Sequence, residues 1–209
     1  IIETLRSYIQ EARPILFEGD NYSEAWEKEA EKRGLSNIKT TPRALDAYIS
    51  ETSQRLFSEN GVLTERELRA RYEISQDNYA KSIQIESRIL AELIDTHVVP
   101  AAVRYLEPLV INASGMKQLG IEQALKPLTE QIESIQKHIN ELRRLNEQLK
   151  KQSDHAETIE DIAQKANFLC NEVKEALFEP IRTHADALES MVDDQQWSLP
   201  KYRELLFLR

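Results

Sequence analysis

The chain has 209 residues, with 27 Lys plus Arg against 36 Asp plus Glu and a formal charge of −9. Five glycines and seven prolines are too few for a β-rich fold, which needs many tight turns, or for a disordered linker. No apolar run approaches the roughly 18 residues of a membrane span, and a single cysteine, Cys170, excludes an internal disulfide framework and a Cys-based zinc site.

Charge is spread evenly: residues 1–120 carry 15 basic and 19 acidic side chains, residues 121–209 carry 12 and 17. With no basic face or tail, neither nucleic acid nor an anionic membrane surface is expected as a partner. The opening Ile1-Ile2-Glu3-Thr4-Leu5-Arg6-Ser7-Tyr8-Ile9 reads as helix already under way, without Met or a signal peptide. Residue 1 is therefore expected to lie inside a longer protein.

A first helix over 1–12 should stop before Pro14, because a residue preceding proline is pushed out of the α region. Residues 15–22 form a turn-rich connection. Ser23 is an N-cap, with Glu24 and Glu27 at the positive end of a helix that closes at Gly34. Thr41-Pro42 repeats the start signal, with Thr as cap and Pro at the first helical position. That short helix carries Leu45, Tyr48 and Ile49, and another runs from about Glu51 to Glu59. Thr64-Glu65-Arg66-Glu67 is a capping box. It opens a long helix with Leu68, Tyr72, Tyr79, Ile83, Leu90 and Leu93 on one side. Pro100 and Pro108 should kink or segment it; it reaches about Asn112, and residues 113–120 read as a loop.

Ile121, Leu125, Leu128, Ile132, Ile135, Ile139, Leu142, Leu145 and Leu149 then recur with a mean step of 3.5, the spacing of a coiled-coil seam. Residues 150–155 form the polar corner, and a second seam returns through Ile159, Ile162, Ala166, Leu169 and Val173. It continues less regularly to Leu177, Ile181, Leu188 and Met191. Arms of about 30 residues give an antiparallel hairpin roughly 45 Å long at ~1.5 Å per residue. The apolar tail, Trp197 to Phe207, should dock back on the body. The expected class is all-α: short N-terminal helices on a long helix (1–120), then the coiled-coil hairpin and tail (121–209).

Reactive groups are sparse. Glycines at 19, 34, 61, 115 and 120 build no phosphate-cradling loop. No Glu-x-x-His occurs, and His138 with Glu141 is an isolated pair read as a solvated face. His97 reads as half-buried and hydrogen-bonded, His155 as part of the corner, and His184 as surface. Cys170 reads as a packed, inert thiol, since reactive cysteines sit in electropositive, partly exposed surroundings. Tyr22, Trp26, Trp197, Tyr202 and Phe207, in short or irregular segments, read mainly as packing residues. No residue is assigned to a catalytic, cofactor-binding or metal site.

Three stretches go beyond periodicity. Phe17-Glu18-Gly19-Asp20-Asn21-Tyr22-Ser23-Glu24-Ala25-Trp26, with Glu29-Ala30-Glu31-Lys32-Arg33-Gly34-Leu35 and Thr40-Thr41-Pro42, resembles the C-terminal region of type III glutamine synthetases. So do Gly61-Val62-Leu63-Thr64-Glu65-Arg66-Glu67-Leu68, running into Arg71-Tyr72-Glu73-Ile74, and the closing Trp197 with Pro200-Lys201-Tyr202-Arg203-Glu204-Leu205-Leu206-Phe207. Where the resemblance would place His-Ser, this chain has Arg69-Ala70. The resemblance implies a cytoplasmic parent ligase that makes glutamine from glutamate and ammonia with ATP and Mg²⁺ or Mn²⁺, assembled as stacked hexameric rings. It places the metal and nucleotide sites in a catalytic core preceding residue 1. The expected role here is then structural and oligomeric, with that core and further copies of the chain as partners. The alternative is an autonomous scaffold whose hairpin binds a helix of another protein.

Overall fold

The computed structural model describes residues 2–206; Ile1 and residues 207–209, including the tail residue Phe207, lie outside the described residues. They form two compact units, one up to Lys39 and one from Thr40 onward. No strand occurs among the described residues, so the chain is all-α as its composition predicts.

In the first unit, α1 spans Ile2–Ala12 and ends in a 3₁₀ turn, Arg13–Ile15, that contains Pro14. The second helix, α2 (Glu24–Lys32), starts where the Ser23 hydroxyl accepts a hydrogen bond from the Trp26 N–H, at 3.4 Å. It closes at Gly34, whose φ of +70° is a left-handed position that costs a Cβ-bearing residue strain. Arg33 fixes the intervening loop, donating to the carbonyls of Pro14 and Leu16 (3.1 and 3.0 Å) and to Glu29 (2.7 Å). Phe17 packs on Trp26, with ring centroids 4.9 Å apart.

The second unit begins with α3 (Thr41–Leu45) and a 3₁₀ turn, Asp46–Ile49, followed by α4 (Glu51–Glu59). The cap of α3 is Thr40, one residue earlier than its sequence suggests, and Pro42 is buried within the first turn. The capping box forms as expected: the Glu67 N–H donates to the Thr64 hydroxyl at 3.3 Å, and the Thr64 N–H donates to the Glu67 carboxylate at 2.8 Å. Those contacts, the backbone one first, hold the Glu67 carboxyl below the usual carboxylate range.

From there the backbone stays helical through α5 (Glu65–Leu93), a π turn (Ile94–Val98) and α6 (Val99–Gln118). Pro100 does not break the helix. Its missing N–H and the clash of its ring with the Thr96 carbonyl are relieved by the wider π turn immediately before it. Pro108 sits inside α6 without a break. The expected loop at 113–120 is instead helix as far as Gln118: Gly115 costs only about 1 kcal/mol in a helix interior, and the chain turns at Gly120, with φ of +70°.

The next helix, α7, runs from Glu122 to Glu157, through the expected corner at 150–155. Nothing in that polar stretch stops a helix. The corner lies at Thr158–Asp161, where Asp161 caps the following helix by accepting from the Gln164 N–H at 2.8 Å. The return arm is α8 (Ile162–Phe168), a π segment (Leu169–Phe178) and α9 (Glu179–Met191). Here too the π segment precedes a proline, Pro180.

Cross-helix bonds set the register. Gln131 with Tyr105, Asn146 with Asp95 and Ser153 with Ser87 place α7 antiparallel to the long helix. Ser134 with Met191 and His138 with His184 place α9 antiparallel to α7. The result is an up-down-up bundle whose core joins Ile83, Ile94 and Ala102 to Ile135, Ile139, Leu142, Leu149, Leu169, Val173, Ile181 and Leu188. Each fully buried aliphatic side chain contributes roughly 1.5–3 kcal/mol. Trp197 is buried against this core, and Lys201 anchors the tail by donating to the carbonyls of Glu189 (2.8 Å) and Val192 (3.0 Å). A final turn of helix, α10 (Tyr202–Leu205), follows.

Candidate functional site

Four groups of polar side chains lie between the helices. The first is a strip joining α5 and α7. Asn146 is buried and donates to the Ala91 carbonyl at 3.3 Å and to Asp95 Oδ1 at 2.8 Å. The Lys150 ammonium meets Asp95 Oδ2 at 2.5 Å, Ser153 donates to Ser87 at 3.2 Å, and Arg88 meets Glu157 at 2.6 Å. A groove of about 460 Å³ runs along this strip. Two of its ion pairs, Lys150 with Asp95 and Arg88 with Glu157, join the helices and set register, while Glu92 and Asp154 also line the groove.

The second is His138 on α7 with His184 on α9, their Nδ1 atoms 2.8 Å apart. Both rings are half-buried, which corrects their expected places on a solvated face and on the surface. Burial first, then the positive charges of His184 and Lys137, pushes the His138 pKa below the usual histidine value. The third is the Tyr79 phenol against buried Cys170; burial and the adjacent thiol push this phenol well above its ordinary range. The fourth is His97, whose Nδ1 lies 2.9 Å from the Ser198 hydroxyl; it is half-buried as its sequence setting predicts. His155 lies on α7 before the corner, edge-on to Phe168 at 5.1 Å. Among the described residues, no three His, Cys, Asp or Glu side chains converge to hold a metal ion.

The aromatic residues divide. Trp197 is buried and Trp26 half-buried, but Tyr22 is 98% exposed and Tyr202 lies open beneath Arg182, 5.8 Å from its ring centre. In the first unit, α1 carries apolar side chains on its surface. Ile2, Leu5, Tyr8 and Ile9 are 78, 55, 64 and 65% exposed, and this helix buries no residue.

This architecture is that of an all-helical domain. Residues 1–117 match the family model described as the glutamine synthetase C-terminal domain. Over 213 aligned residues the chain is 37% identical to a glutamine synthetase of Bacteroides fragilis, covering 100% of this chain and 29% of the relative. It is 35% identical to the type-3 glutamine synthetase of Dictyostelium discoideum, covering 96% and 28%, and 30% identical to a glutamine synthetase of Butyrivibrio fibrisolvens, covering 98% and 29%. The chain therefore belongs to the glutamine synthetase C-terminal domain family, and it corresponds to the C-terminal region of these relatives. It spans less than a third of the length of the curated relatives it matches.

Proposed function

We propose that these residues are the structural domain of a type III glutamine synthetase, carried by the polypeptide that also holds the catalytic core. The domain packs on that core and supports contacts between subunits in a cytoplasmic homo-oligomer. The observation that carries this reading is the alignment: relatives named glutamine synthetase match this chain almost end to end, yet are more than three times its length.

The reaction implied for the parent protein is ATP-dependent ligation of glutamate and ammonia. ATP and Mg²⁺ or Mn²⁺ belong to the core in this reading. The contribution of this chain is mechanical: a rigid three-helix body whose buried seam holds a fixed shape against the core.

Assay of γ-glutamyl transfer tests the assignment. The polypeptide that carries this domain together with the core should convert glutamate, ammonia and ATP to glutamine, ADP and phosphate when Mg²⁺ or Mn²⁺ is supplied, and the 209 residues alone should not. Turnover by the 209 residues alone, or a gene whose product has no such ligase activity, overturns it.

A further inference from the structure

We infer that His138 and His184 form a two-nitrogen site for a divalent transition-metal ion of the Cu²⁺ or Ni²⁺ class, bridging α7 and α9. The pair lies wholly within the second unit. Its Nδ1 atoms are 2.8 Å apart, the ring centroids 5.1 Å apart and the ring planes tilted by 59°. Two imidazoles from different helices therefore meet nitrogen to nitrogen.

The bundle holds these nitrogens at their spacing without help from an ion. Ile139 follows His138 on α7, and Ile181 stands one turn before His184 on α9; both are fully buried in the core. One turn before His138, the Ser134 hydroxyl meets the Met191 sulfur at 3.8 Å, a second tie between the same two helices. Ligands carried on packed helices lose little freedom on binding. Both rings are half-buried, so an ion between them keeps positions open to water.

The spacing selects the ion. With metal–imidazole bonds of about 2.0–2.1 Å, nitrogens at the observed 2.8 Å subtend roughly 90° at the ion, whereas a tetrahedral ion needs them about 3.3 Å apart. Right-angle positions shared between nitrogen and water oxygen are those of Cu²⁺ or Ni²⁺. A structural Zn²⁺ site asks instead for four protein ligands in a tetrahedron.

In the neutral pair, one ring carries its hydrogen at Nδ1 and the other accepts it. An ion needs both Nδ1 lone pairs. The donor ring therefore gives its Nδ1 proton to water and takes one from water at Nε2, a tautomer exchange with no net change of charge. Each ring then turns about its Cβ–Cγ bond, a soft torsion, to aim at the ion. Glu141, three residues after His138 and paired with Arg144 at 2.8 Å, brings negative charge close to His184, while Lys137 brings positive charge close to His138.

Thermal melts and electron paramagnetic resonance of the 209-residue chain with CuCl₂ or NiCl₂ test the inference. Either ion should raise the Tm by at least about 3 °C, because an ion bound only by the folded state stabilises it. Mg²⁺ at the same concentration should not. One equivalent of Cu²⁺ should give a spectrum coupled to two nitrogens. His138→Gln and His184→Gln should each abolish the Tm shift and the two-nitrogen coupling, and two separate variants keep the test alive if one fails to fold. His155→Gln, whose ring packs on Phe168, should retain both signals. A shift that survives the substitutions at 138 and 184 means an adventitious ion only and overturns the inference. So does the absence of a shift with both ions, or bound Cu²⁺ that lacks the two nitrogens.

Discussion

His138 and His184 share one hydrogen bond across the bundle, with 2.8 Å between their Nδ1 atoms. Such a bond needs one ring to donate and the other to accept, so at least one imidazole must be neutral at that nitrogen. Protonating both replaces the bond by two like charges. Lys137 adds a further positive charge nearby, while Glu141, whose carboxyl is held low mainly by Arg144, supplies the opposing negative charge.

The pH dependence follows in sign. Because His138 has a folded pKa below its ordinary value, the unfolded chain binds the proton more readily. Stability is complete above the ordinary histidine value and falls as pH drops through it toward the lowered one. Thermal melts should show a lower Tm at pH 5.5 than at 7.5, and His138→Gln should flatten that difference. An acid slope identical in the variant would detach the pair from the effect.

The seam assignment is tested by two substitutions two residues apart. Ile139 is fully buried, so Ile139→Asp loses roughly 1.5–3 kcal/mol of burial and adds the cost of an unpaired buried charge. Glu141→Ala removes a half-exposed carboxylate paired with Arg144 and should change stability by no more than about 0.5 kcal/mol. Chemical denaturation of both variants checks the contrast; equal losses would contradict the register.

Gln76 is buried on α5 and donates its amide to the Pro42 carbonyl at 2.8 Å, tying α3 to the long helix. Gln76→Leu leaves that carbonyl without its partner and should cost about 1–3 kcal/mol. Exchange of the amides in residues 41–49 should rise more than in 135–149. A uniform change across both segments would place the effect elsewhere.

Cys170 is 2% exposed against Tyr79. A thiol reagent should label it slowly in the native chain and rapidly once the bundle is unfolded. Rapid native labelling would contradict its burial.

These residues also show what the amino-acid order reveals and conceals. Ser23, Thr64 and Glu67 act locally, so their caps are legible from type and spacing alone. Ile135, Ile139, Leu142 and Leu149 are legible because apolar periodicity encodes one buried face. Gln76, Ser87 and Asn146 are buried too, but as polar residues they leave no hydrophobic signal. The His138–His184 contact joins positions 46 apart and depends on the register of two arms, so no local pattern announces it. The continuity of the helices through 113–118 and 150–155 is also hard to read from residue order. One interior glycine costs only about 1 kcal/mol, so α6 runs through Gly115, and α7 runs through 150–155, where Lys150 and Ser153 bond across to Asp95 and Ser87.

The central claim is that these helices serve the assembly of an enzyme whose chemistry lies in the rest of its polypeptide. Native mass measurement of the longer polypeptide, with and without the 209 residues, tests it most directly. The account predicts a multi-subunit particle with the domain and smaller species without it. A truncated protein that keeps the same particle mass and the same ligase activity would contradict it.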